Sequence, residues 1–85
     1  MAKYSVRIKR SAAKELEGIP LKDRRRIVHR IDALGTDPRP PGCEKLSGEE
    51  KYRLRQGDYR ILHEIVNRGL IVMVVKIGNC RDVYR

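Results

Sequence analysis

The feature that most constrains the fold of this chain is a proline-rich segment, TDPRPPG, at residues 36–42. It holds three of the four prolines in the 85 residues, and proline neither continues a helix nor fits a central strand. The segment therefore predicts a stiff connector between two halves of different structure. A chain this short has room for only one core, so we expect a single domain over residues 1–85.

The half before the connector predicts one strand and two helices. Residues 3–9 alternate polar and apolar side chains, which indicates a strand with one buried face formed by Tyr4, Val6 and Ile8. Ser11 is predicted to cap a short helix that stops at Gly18. Residues 21–35 repeat apolar side chains at helical spacing and end at Gly35, which suits the position just after a helix.

The half after the connector predicts three strands in a meander, at residues 52–56, 59–66 and 70–77, with a tight turn at Gly57-Asp58. The last run, LIVMVVKI, is apolar nearly throughout, so we expect a central strand covered on both faces. The whole order is β-α-α-β-β-β. It predicts an α+β fold, a small antiparallel-rich four-stranded sheet with two helices on one face and the other face open.

Three arginines are predicted to crowd one another on that open face. A two-residue turn places Arg55 opposite Arg60 and Arg53 opposite Leu62, with Tyr52, Leu54 and Ile61 turned toward the helices. Like charges opposite each other destabilise a ladder. Two interpretations follow: the side chains extend into water or pair with carboxylates such as Glu64, Asp82 and Glu49, or they form a receptor for phosphate oxygens.

Composition favours a polyanionic partner. The chain has 20 Lys+Arg against 11 Asp+Glu and a formal charge of +9, which favours nucleic acid or an acidic protein. The N-terminus lacks the apolar run of a signal peptide and no stretch is long enough to span a membrane, so we expect a cytoplasmic protein with no membrane partner. Cys43 and Cys80 fit neither a disulfide framework nor a metal motif, so no metal or other cofactor is predicted.

The second half also carries recognisable motifs. The run DPRPPGCEKLSGEEKYRLRQGDYRILHEI, followed by VVKIGNCRDVYR, resembles the RelE/ParE superfamily of type II toxin–antitoxin toxins. It is most similar to the RelE-type, ribosome-dependent mRNA interferases, through YRLRxGDYRI and IGxxxDVY. The resemblance implies that Arg53, Arg55, Arg60 and Tyr84 carry catalysis. Many relatives have a basic pair after the glycine that ends the last strand, whereas this chain has Gly78-Asn79-Cys80-Arg81, so Arg81 is the candidate replacement for a residue missing at Cys80.

The chemistry of metal-independent RNA cleavage divides these roles. Arginines stay charged, so they can stabilise the phosphorane but cannot move protons. Tyr84 is the candidate proton carrier, because surrounding cations favour the phenolate. The register turns His63 toward the helices. The resemblance implies that the ribosome positions the A-site mRNA, and we expect contact with RNA from Lys22, Arg24, Arg25, Arg26, Arg30 and Lys51. An antitoxin with an acidic or amphipathic segment is the expected protein partner.

Two other functions stay open at this point. One is inhibition of DNA gyrase by protein contact, as in the ParE branch of the superfamily, an alternative that the cysteine at position 80 keeps open. The other is an inactive, basic RNA-binding relative. Retention of Arg53, Arg55, Arg60 and Tyr84 favours the endoribonuclease, because an inhibitor needs no phosphate-binding cluster beside a phenol.

Overall fold

The structure, a computed structural model, describes residues 3–46, 50–66 and 68–79. In this part of the chain it has two helices and five strands, in the order β1 (Ser5–Ile8), α1 (Arg10–Glu17), α2 (Leu21–Ala33), β2 (Glu44–Lys45), β3 (Lys51–Gln56), β4 (Tyr59–Val66) and β5 (Ile71–Asn79). The predicted α+β fold is confirmed. Neither of the described helices is long and apolar enough to cross a bilayer.

The sheet has one more strand than predicted. Its order is β1-β5-β4-β3-β2, with β1 parallel to β5 and the other pairs antiparallel. The additional strand, β2, consists of two residues that pair with β3, Glu44 with Arg53 and Lys45 with Tyr52. Two residues are too few to show a period, so the sequence pattern could not reveal this strand.

The helix ends follow from the backbone more than from side-chain caps. Lys9, and not Ser11, is the N-cap of α1, and it makes no side-chain cap hydrogen bond. The backbone N–H of Lys9 still donates to the Val74 carbonyl (2.8 Å) while its own carbonyl accepts from Ala13 (2.9 Å). Lys9 therefore makes the last hydrogen bond from the β1 segment to β5 and accepts the first hydrogen bond of α1. The predicted end at Gly18 is confirmed, and α2 ends just before Gly35.

The core lies between the helices and one face of the sheet. Its buried members are Ala12, Ile19, Ile27, Ile31, Leu34, Leu54, Ile61, Val72, Val74 and Ile77. Burying side chains of this kind contributes roughly 1.5–3 kcal/mol each, so this layer is the main source of stability. Tyr4 and Val6 pack against it as predicted, but Ile8 remains 38% exposed at the end of the edge strand β1.

The prediction that the last strand is covered on both faces is wrong. Val72 and Val74 are fully buried, whereas Ile71, Met73 and Val75 alternate with them and are only half-buried. The reason is that both helices pack on the same face, so the run of apolar residues has a partner layer on one side. The other face of β5 continues the open face of the sheet.

The carboxylate of Glu15 binds the outer half of β5. Strand β1 pairs with Ile71–Val74, and within the part of the chain that the structure describes no other strand lies on that side of the rest of β5. There Glu15 of α1 accepts a hydrogen bond from the backbone N–H of Ile77 through Oε1 (3.2 Å), and its Oε2 pairs with Lys76 Nζ at 3.0 Å. One helical side chain thus takes the place of a neighbouring strand and joins α1 to the sheet.

Candidate functional site

The arginine hairpin, formed by β3, β4 and their connecting turn, has the predicted register. Arg55 lies opposite Arg60, Arg53 opposite Leu62 and Gln56 opposite Tyr59. The turn needs a residue with positive φ at its first position, and Gly57 has φ +61° there. Since the register of a hairpin assigns every side chain to a face, this turn determines where the arginines lie.

The two faces of the hairpin have opposite character. Leu54 and Ile61 are buried in the core with the helices, as predicted, and Tyr52 is also buried. The arginines occupy the alternate positions on the open face, where Arg55 is exposed while Arg53 and Arg60 are half-buried. Lys51 belongs to the same row and pairs with Glu64 across the ladder at 3.5 Å. Four cations therefore share one surface of β3 and β4: Lys51, Arg53, Arg55 and Arg60.

Arg53 has a carboxylate partner that the sequence did not indicate. Its Nε and Nη2 both donate to Oε2 of Glu44, at 3.1 and 2.6 Å. The hydrogen bonds from Arg53 lower the pKa of Glu44, and the charges of Arg53 and Arg60 add to the effect. Of the partners considered from sequence, Glu64 contacts Lys51 instead, and Glu49 and Asp82 lie outside the described residues.

The other two arginines face the end of the hairpin. Arg55 Nε donates to the Gly57 carbonyl at 2.9 Å, and the side chain is exposed. Arg60 lies opposite Gly78 of β5. Guanidinium groups in this arrangement bind phosphate oxygens through several parallel hydrogen bonds. They do not transfer protons, so the hairpin can hold and stabilise a phosphodiester but needs a separate proton carrier.

His63 is not that carrier. It lies on the helix face, fully buried, where its ring stacks on Tyr52 (centroids 5.6 Å apart) and its Nε2 donates to the Pro38 carbonyl at 2.9 Å. Burial lowers the pKa of the ring, and the nearby charge of Arg39 acts in the same direction. The predicted orientation of His63 toward the helices is confirmed, and its role is to join the connector to β4.

A polar cluster beside His63 was missed at the sequence level. Arg39 Nε donates to the Tyr52 hydroxyl (2.9 Å), and that hydroxyl donates to Oε2 of Glu50 (2.9 Å). Arg39 Nη2 also pairs with Oε2 of Glu50 at 3.1 Å. The position of Tyr52 opposite His63 could be read from the register, but nothing in the proline-rich segment indicated that Arg39 would reach them. The cluster holds the connector, and with it β2, against the hairpin.

The basic residues of α2 form a second surface. Lys22, Arg25 and Arg26 are exposed, whereas Arg24 and Arg30 are half-buried. Arg24 donates to the Ile19 carbonyl (3.1 and 3.2 Å), so part of its donor capacity closes the turn between the helices. Because the helices cover the face of the sheet opposite the arginines, these residues and the arginine hairpin point in different directions. The sequence did not separate the two surfaces.

Two of the predicted catalytic residues, Tyr84 and Arg81, lie outside the described residues, as does Cys80, and their roles stay predictions. The described part of β5 ends at Asn79, next to Tyr59. Within residues 3–46, 50–66 and 68–79, no group of three His, Cys, Asp or Glu side chains is placed to hold a metal ion.

Comparisons with known proteins agree with this architecture. The chain is 26% identical to a protein of Methanocaldococcus jannaschii that carries the toxin name RelE1, over 98% of this chain and 97% of that one. Its fold is similar to RelE in the RelE–RelB complex of Pyrococcus horikoshii, with a TM-score of 0.79 and 25% identity over 91% of this chain and 94% of that one.

A second solved structure, from the toxin–antitoxin complex RelBE2 of Mycobacterium tuberculosis, has a TM-score of 0.81 and 24% identity, over 96% of this chain and 97% of that one. The family described as the ParE toxin of type II toxin–antitoxin system, parDE, matches residues 6–84, which is most of the chain. The chain therefore belongs to the ParE/RelE family of toxins of type II toxin–antitoxin systems.

Proposed function

We propose that this toxin is a ribosome-dependent endoribonuclease, which cleaves mRNA in the A site through attack by the 2′-hydroxyl, without a metal ion. The observation that carries the proposal is the arginine hairpin. Arg53, Arg55 and Arg60 share an open face, and Arg55 lies directly opposite Arg60, a like-charge pair that destabilises a ladder. A cluster of this kind is suited to the negative charge that develops on a phosphorane.

The proton transfers are assigned to the end of the chain. Tyr84 is proposed to move the proton, because neighbouring cations favour its phenolate. Arg81 is proposed to supply the basic group that relatives carry at the position of Cys80. A site without a strong base near neutral pH gains most of its rate from a well-positioned substrate, which explains why the ribosome would be required.

The ribosome is proposed to contact both basic surfaces. The A-site mRNA would lie on the arginine hairpin and Lys51, and rRNA phosphates would contact the exposed cations of α2, Lys22, Arg25 and Arg26, together with the partly engaged Arg24 and Arg30. Since these surfaces face opposite ways, the protein would fill a cleft in the RNA. An antitoxin is the proposed protein partner, in keeping with the complexes of the relatives, and it would need to reach across an edge of the sheet to mask both surfaces.

Cleavage on programmed ribosomes tests the proposal. Wild-type protein is added to ribosomes stalled on a defined mRNA, and the cut is mapped by primer extension. Arg60→Ala is expected to abolish the A-site cut. Arg7→Ala is the matched control, because Arg7 lies opposite Met73 in β1, five residues and roughly 16 Å along β5 from the partner of Arg60. It removes the same charge but should cut normally.

Inhibition of gyrase is the second candidate, supported by the ParE family match and by Cys80 in place of a basic residue. It predicts growth arrest with intact mRNA and loss of DNA supercoiling in the presence of the toxin. If wild-type protein leaves ribosomal mRNA uncut but blocks supercoiling by purified gyrase, this function replaces the first.

A further inference from the structure

We propose that Glu44 is a specificity-determining residue of the arginine hairpin: its carboxylate occupies Arg53 and must be displaced before a phosphate can bind there. The inference rests on the proposed function. It means that the site binds free RNA weakly and binds RNA more tightly when other contacts hold that RNA in place. Glu44 itself is not a catalytic residue in this account.

The geometry shows direct competition for the same donors. Glu44 lies opposite Arg53 in the β2–β3 ladder, and its Oε2 accepts from both Nε and Nη2 of Arg53 at 3.1 and 2.6 Å. An incoming phosphate oxygen would seek the same pair of N–H groups, since carboxylate and phosphate have similar preferences for a guanidinium. The two anions cannot both occupy this edge of Arg53.

Electrostatics extends the competition beyond one arginine. The hydrogen bonds from Arg53, together with the charges of Arg53 and Arg60, lower the pKa of Glu44, so the carboxylate is negative at neutral pH. A phosphate that approaches Arg53 therefore meets a negative charge on its β2 side, and that charge also interacts with Arg60. Neutralising that charge would help binding even where Glu44 makes no contact with the RNA.

Displacement of Glu44 requires no unfolding. Its side chain is 62% exposed, against 27% for Arg53, so it can rotate into water while the guanidinium stays on the sheet. The backbone of β2 is held independently, because Leu46 N–H donates to the Lys51 carbonyl at 2.8 Å. The Glu44 side chain is thus a removable occupant of the site.

This arrangement favours RNA that is presented by a larger assembly. Free RNA must displace Glu44 with the binding energy of a few phosphates, in competition with an intramolecular group at high effective concentration. RNA positioned on the ribosome, where rRNA contacts already hold the protein, has the same advantage of effective concentration and can displace the carboxylate. Glu44 therefore increases the difference in affinity between RNA positioned on the ribosome and free RNA.

The test is binding of a fluorescent eight-nucleotide single-stranded RNA to purified toxin, without ribosomes, measured by anisotropy. Glu44→Gln keeps the size of the side chain and removes its charge. Asp58→Asn is the matched control, because Asp58 lies exposed in the turn of the same hairpin and its replacement changes net charge equally. We expect Glu44→Gln to bind roughly five- to ten-fold more tightly than wild type. Asp58→Asn should bind less than two-fold more tightly, because water and salt screen the effect of an exposed charge that does not contact the site.

Two further variants make the result specific. Arg53→Ala in the Glu44→Gln background should remove the gain, because the released guanidinium is then absent. Glu44→Ala should reproduce the gain if displacement is the cause. Equal binding by Glu44→Gln and Asp58→Asn, or weaker binding by Glu44→Gln, would overturn the inference and assign Glu44 the role of holding Arg53 in position.

Cleavage on ribosomes separates this inference from the proposed function. If wild type cuts ribosomal mRNA while Glu44→Gln shows no gain for free RNA, only the inference fails. If wild type does not cut but Glu44→Gln binds free RNA more tightly, competition at Arg53 stands and the endoribonuclease proposal fails.

Discussion

The buried ring of His63 predicts that the folded protein loses stability as the pH falls below about 6.5. Burial is the main cause of the lowered pKa of this ring, the charge of Arg39 adds to it, and the Pro38 carbonyl opposes it. The unfolded chain takes up a proton at the ordinary pKa of about 6.5, while the folded chain resists until the pH is lower. The stability is therefore complete above that value and decreases with acidification.

The magnitude follows from one proton. Uptake of a single proton by the unfolded state changes the free energy of unfolding by at most about 1.4 kcal/mol per pH unit, which is a large share of the roughly 5–15 kcal/mol that holds a typical domain. The positive charge of Arg39, in the connector, opposes protonation of the His63 ring. The ring of Tyr52, in β3, stacks on the His63 ring. Arg53 lowers the pKa of Glu44, and hydrogen bonds from Tyr52 and Arg39 lower the pKa of Glu50. The effects of these two carboxylates on stability therefore appear at a lower pH than that of His63.

Urea unfolding between pH 7.5 and 5 provides the measurement. His63→Gln keeps a nitrogen donor for the Pro38 carbonyl but does not titrate, so its stability should be lower at pH 7.5 and nearly constant down to pH 5. The only other histidine of the sequence, His29, is exposed on α2, and His29→Gln should keep the slope of wild type. A wild-type free energy of unfolding that is equal at pH 7.5 and pH 5 would refute the reasoning.

Three further predictions concern the proposed site. Arg55→Ala and Arg60→Ala should each abolish toxicity while melting temperature, followed by circular dichroism, is kept or slightly raised, because repulsion across the hairpin is relieved; a loss of several kcal/mol would mean that the arginines hold the fold. Tyr84→Phe should slow single-turnover cleavage about 10²- to 10⁴-fold with unchanged ribosome affinity; equal rates would assign the proton transfer to another group. Binding to ribosomes should weaken by roughly 0.7 to 0.9 decades per decade of salt for each phosphate neutralised, and an affinity independent of salt would contradict this.

The hairpin was predictable because its turn leaves little choice. A Gly-Asp pair between two alternating runs sets the register, and the register then assigns Arg53, Arg55 and Arg60 to one face and His63 to the other. Local chemistry and tertiary packing agree in this part of the chain, so the sequence pattern was sufficient.

The features that were predicted wrongly or missed lie where the local sequence pattern carries little information about tertiary contacts. An apolar run such as LIVMVVKI has no polar positions to mark a face, so its one-sided burial depends on where the helices pack. The position of Glu44 depends on a two-residue strand that follows the connector. The Arg39–Tyr52–Glu50 cluster joins the connector to the start of β3, two segments that are far apart in sequence. Long-range contacts of this kind leave no periodic signal.

The carboxylate of Glu15 also has a consequence for the behaviour of the protein at high concentration. The outer half of β5, residues 75–79, has no neighbouring strand on its β1 side among the described residues, and a strand edge of this kind is the usual starting point for pairing between chains and for aggregation. A foreign strand could bind there only after displacing Glu15 from both the Ile77 N–H and the Lys76 ammonium. A single glutamate on α1 therefore helps keep newly made toxin molecules apart, at the moment when no partner yet covers them.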